Sequence, residues 1–144
     1  MKSSLSPLIG LVTVVLYLAG DPAAAAPPKP LPEEVRTAWE KAGAQSGWLG
    51  VTGFRRLIFR PGTEKAQEGD VPTFKFYKWH PGELAKLPPP EAAFGLDLSN
   101  TKVTDAGLKE LADLKQLQVL FLGTNVTNAG KDTLRSALPD VRIR

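Results

Sequence analysis

Leu117-Gln118-Val119-Leu120-Phe121-Leu122-Gly123-Thr124-Asn125 reads L-x-x-L-x-L-x-x-N, with Leu120 and Leu122 spaced to share one side of an extended strand. The same Φ-x-x-Φ-x-Φ spacing recurs at Ala93, Leu96, Leu98, at Val71, Phe74, Phe76, at Leu138, Val141, Ile143, and at Phe54, Leu57, Phe59. The last members fall at 59, 76, 98, 122 and 143, steps of 17, 22, 24 and 21 residues. A period of about 20–29 residues marks stacked copies of one strand-containing unit. Four copies fit. The first step is too short for a full unit, so strands over 54–60 and 73–79 are expected to pair as a hairpin or to stack as coils.

A second signal lies between the strands. Val103-Thr104-Asp105-Ala106-Gly107 is matched by Val126-Thr127-Asn128-Ala129-Gly130, an offset of 23 residues that Leu111 and Leu134 share. Thr104 is placed to cap a helix, since its hydroxyl can accept from an orphan N–H, and Asp105 suits the positive end of the dipole. Val103 and Leu108 hold the two positions of a hydrophobic staple. In the second copy Lys131 replaces that leucine, so the final helix is expected to be the looser one and Thr127 the less valuable cap. One residue fewer separates Leu122 from Val126 than Leu98 from Val103, which should tighten that turn.

Toward the N-terminus, Met1-Lys2, the apolar run Leu8 to Ala19 and the small residues Ala23 to Ala26 form a secretory signal pattern, with the apolar run short for a membrane span. Residues 1–26 are therefore read as a signal peptide and 27–31 as a linker. Pro32, Glu33 and Glu34 suit a helix start, Val35, Ala38, Trp39 and Ala42 form one apolar stripe, and Gly43 is a stop. A helix over 32–43 follows, with Trp39 as a core anchor. Leu84 and Leu87 then cover the core ahead of Pro88-Pro89-Pro90.

At Val103 to Leu114 (VTDAGLKELADL) the chain resembles the leucine-rich repeats of exported planctomycete-type bacterial proteins, related to ribonuclease-inhibitor-like repeats. The ending Leu134 to Ile143 is similar to the way such arrays close. The resemblance implies an α/β leucine-rich-repeat solenoid, with parallel strands on a concave face and helices on a convex one. It also implies protein-binding function without catalytic residues. On this reading 93–144 are repeats, and 32–92 are an N-terminal helix-plus-strand cap with a degenerate first repeat.

Composition narrows the chemistry. The net charge of +3 is spread evenly, with ten Lys/Arg against eight Asp/Glu in 27–93 and seven against six in 94–144, which is no nucleic-acid footprint. Without cysteine, and with His80 the one histidine, no zinc site can be built from thiolate and imidazole ligands. No G-x-S-x-G elbow occurs, and Gly50-Val51-Thr52-Gly53 lacks the lysine and spacing of a phosphate loop. Asn125-Val126-Thr127 fits a glycosylation sequon but sits where repeat ladder and cap chemistry is expected. No enzyme, cofactor or metal is expected, and no membrane contact after signal removal.

If the apolar positions point inward, the residues between them share the other face. One row then reads Lys75, Asp97, Phe121, Arg142, and beside it runs Tyr77, Ser99, Gly123, Arg144, with Arg56 and Arg60 as extensions. Aromatic residues flanked by arginine are favoured at interfaces. The candidate partner-binding residues are thus Lys75, Tyr77, Asp97, Phe121, Arg142 and Arg144, facing a protein or peptide. A bare strand edge at the C-terminal end offers a route to a homodimer. The competing reading is a structural remnant of a longer array with no ligand of its own.

Overall fold

Nine residues from Glu33 form helix α1 (Glu33–Lys41), started by Pro32 and two glutamates in the first turn. It buries Trp39 completely, stacked on Phe74 with ring centroids 4.5 Å apart. A computed structural model describes residues 28–52, 56–62 and 66–144. The signal peptide read over 1–26 and Phe54 lie outside the described residues. The chain is α/β: a six-stranded mixed sheet carries its helices on one face.

After α1 come β1 (Ala44–Val51), β2 (Leu57–Pro61) and β3 (Val71–Phe76), then β4 (Phe94–Leu98), β5 (Leu117–Leu122) and β6 (Arg142–Ile143). Their spatial order is β2-β1-β3-β4-β5-β6. The last four run parallel, with Phe74, Leu96 and Leu120 in register and Leu120 beside Ile143. That row and its neighbours Phe76, Phe94 and Leu98 meet Trp39, Leu84, Leu108, Leu111, Leu134 and Leu138 in one core.

The expected choice between hairpin and stacked coils for 54–60 and 71–79 is overturned, because neither pairing forms. Strand β1, unassigned in the sequence, lies between them and pairs antiparallel with both. The 17-residue step runs from β2 to β3, which flank β1 on either side and are joined by residues 62–70.

Between the parallel strands lie helix α2 (Asp105–Leu108), which tightens into a 3-10 turn at Lys109–Leu111, and helix α3 (Asn128–Ala137). Val103 and Leu108 are buried as a staple requires. The caps reverse the expectation. Thr104 makes no side-chain capping bond, whereas Thr127 Oγ1 accepts from Gly130 N at 3.2 Å and donates to Asp105 at 2.5 Å. Asp105 also accepts from Thr127 N at 2.8 Å. One turn of four residues offers Thr104 little helix to cap, while the ten-residue α3 is tied to the preceding segment through Asp105. The final helix is the better anchored one.

This contact also explains the matched glycines. A Cβ on Gly130 would collide with the Asp105 carboxylate, and one on Gly107 would come within 2.9 Å of Val103 and 3.2 Å of Trp79. Gly130 makes room for Asp105 of the preceding copy, and Gly107 for Val103 of its own copy and for Trp79.

Thr127→Ala is expected to cost about 1 kcal/mol, more than Thr104→Ala. The two hydrogen bonds from Thr127 hold the Asp105 carboxyl below its ordinary 3.8. A depressed folded-state value means that this stabilisation is complete above the unfolded value and fades as pH falls through the folded one. The deficit of Thr127→Ala should therefore shrink below about pH 4 in urea titrations run at several pH values. A deficit independent of pH would show that Asp105 plays no part in the cap.

Candidate functional site

The sheet face opposite the helices is open in that no described helix covers it, although Leu49, Thr73 and Asp97 on it are buried. Strand alternation places Gln45, Gly47, Leu49 and Val51 of β1 on it, with Leu57 and Phe59 of β2, Thr73 and Lys75 of β3, Asp97 of β4, and Val119 and Phe121 of β5. Leu57 and Phe59 were expected to point inward. The hairpin turns them to this side, and the Phe59 ring lies over the backbone of Gly47, where a Cβ would have blocked it.

Lys75 organises the upper part of the face. Its Nζ is 3.3 Å from the Asp97 carboxylate and lies over two rings, 5.6 Å from the Phe59 centroid and 5.4 Å from that of Tyr77. A cation so held is attracted both by the carboxylate and by the ring quadrupoles. Asp97 also accepts from Ser99 N at 3.0 Å and from Ser99 Oγ at 2.6 Å. Tyr77 Oη donates to Gln45 Oε1 at 3.1 Å, yet the residue is 54% exposed. The pair Lys75–Asp97 is thus internally neutralised, and its effect is to fix the two aromatic rings.

The predicted row holds for Lys75, Asp97 and Phe121, which are direct neighbours across β3, β4 and β5. It fails at its end. Arg142 pairs with Val119, and the backbone of Arg144 bonds with both Leu120 and Leu122, so Arg144 is the residue beside Phe121. Ile143 stands level with Leu120, where the spacing pattern had equated it with Leu122. Arg60 is not an extension of the row either. It lies on the helix-bearing side, paired with the buried Asp70.

The lower part of the face is different. Val51, Leu57, Val119, Arg142 and Arg144 line one groove of about 270 Å³. The far end of the β1–β2 hairpin therefore curls across the open face toward β5 and β6, as the strong twist of two-stranded ribbons favours. Val51 is 61% and Leu57 39% exposed. Neither was singled out in the sequence as a surface residue, since both look like ordinary core positions of a strand. The one available signal was the short 17-residue step, which argued that this segment departs from the repeat pattern.

His80 is exposed in a turn. Among the described residues no group of three His, Cys, Asp or Glu side chains is placed to hold a metal ion. No helix among them is long and apolar enough to cross a membrane. The chain matches no protein-family model, no curated protein and no solved structure.

Proposed function

We propose that this chain is a short leucine-rich-repeat solenoid, exported and non-enzymatic, that presents the open face of its sheet to a protein or peptide. The 23-residue duplication and the succession β3-β4-β5-β6, in which each strand neighbours the next in sequence, support the repeat reading. The helix and hairpin ahead of β3 then serve as the N-terminal cap. Export rests on the pattern of residues 1–26.

One observation carries the binding reading. Tyr77, Val51 and Leu57, three of the four large apolar residues most exposed among those described, share this face with Arg142 and Arg144. Apolar and aromatic surface next to arginine is interface composition, and a face with no ligand gains nothing from leaving it bare. The area is small, so the partner engages it through a peptide or a single loop.

The test is capture of partners from the exported fraction of the native host by wild type and by a Tyr77→Ala/Phe121→Ala variant. Both residues lie outside the core, so the variant should lose little stability and lose the partners. Equal recovery by the two proteins would refute the open face as the binding surface.

A further inference from the structure

The groove between the hairpin end and the last two strands has walls of opposite chemistry. Val51 and Leu57 form one wall, and Arg142 and Arg144, with Val119 beside them, form the other. Both arginines are exposed, and neither has an acidic side chain in ion-pair reach among the described residues. By contrast Arg60, Lys75 and Arg135 are each paired. The groove, about 270 Å³, lies between the end of the β1–β2 hairpin on one side and β5 with the end of β6 on the other. It suits extended chain.

An extended peptide sends alternate side chains to opposite sides, with residues two apart separated by about 7 Å. Arg142 begins β6, and Arg144, two residues on and just past it, continues the same pairing with β5, so the two point the same way. We propose that the groove takes an extended peptide segment of the pattern acidic-aliphatic-acidic. The two carboxylates meet Arg142 and Arg144, and the aliphatic side chain between them packs on Val51 and Leu57. This rests on the open face being a binding face and gives that face its ligand class.

The probe is a fluorophore-labelled peptide, acetyl-Ser-Leu-Glu-Val-Glu-Leu-Ser-amide, titrated with the full chain and followed by anisotropy. Three changes should each weaken binding about tenfold, the loss of two partly exposed ion pairs or of their apolar counterpart: glutamine for both glutamates in the peptide, Arg142→Gln/Arg144→Gln, and Val51→Ser/Leu57→Ser. The peptide change needs no protein variant, so it keeps the test decisive if a variant folds poorly. Binding should also fall with added salt. Equal binding of the glutamine peptide, equal binding by the double arginine variant, or displacement by inorganic phosphate at matched ionic strength would each overturn the proposal, the last by reducing the site to a bare anion site. No binding of the probe by wild type would overturn it too. If capture of partners remained sensitive to Tyr77→Ala/Phe121→Ala in that case, the open-face reading would stand without this ligand class; loss of both would remove the two together.

Discussion

Trp39→Ala is expected to lower the unfolding free energy by about 3–5 kcal/mol, the usual range for emptying a large aromatic site. Trp39 is fully buried and joins α1 to three strand residues: Phe74 at 4.5 Å, Phe94 at 5.9 Å and Phe76 at 6.1 Å between ring centroids. Its Nε1 donates to the carbonyl of Pro88 at 2.9 Å, which fixes the proline segment that leads into β4. Alanine removes all of these together and leaves the Pro88 carbonyl without its donor. Trp39→Phe separates the contributions: it keeps ring packing and loses the hydrogen bond, at about 1 kcal/mol plus the smaller ring. Urea denaturation of the three proteins measures the order. A loss under about 1 kcal/mol for Trp39→Ala would mean that α1 unfolds apart from the sheet.

Leu120→Ala should cost about 2–5 kcal/mol. The residue is fully buried, with Leu96 on one side of it in the sheet and Ile143 on the other. Phe121→Ala, one residue along on the open face, should cost much less despite the larger side chain, because Phe121 is only half-buried. The contrast between neighbours tests the strand register directly. A larger loss for Phe121→Ala would show that the faces of β5 are exchanged.

The parallel half of the sheet was legible because its information is local. Leu96, Leu98, Leu120 and Leu122 carry the alternation within each strand, and the 23-residue offset sets one copy beside the next. Strand β1 was not legible. Ala44-Gln45-Ser46-Gly47-Trp48-Leu49-Gly50-Val51 has no clean alternation, and its glycines answer to neighbours distant in sequence. Phe59 covers Gly47, and Arg60 with Asp70 fills the space at Gly50. The same limit applies to the site. Lys75, Asp97 and Phe121 could be aligned from their spacing, but the turn of Leu57 and Phe59 onto the open face depends on hairpin pairing. Likewise Arg144 stands beside Phe121 through a two-residue offset of β6 along β5, which residue counting does not contain. The caps were misjudged for a related reason: Lys131 marked a missing staple, while the Asp105–Thr127 bridge joins residues 22 apart.

The succession of strands has a kinetic consequence. Thr73 to Gly95, Gly95 to Val119 and Val119 to Arg142 are separations of 22, 24 and 23 residues, and the widest pairing, Ala44 with Phe76, spans 32. No pairing asks distant ends of the chain to meet first, so each loop closed is short and its entropic cost modest. The sheet can grow outward from β1 and β3, one neighbour at a time, with every added strand finding its template already in place.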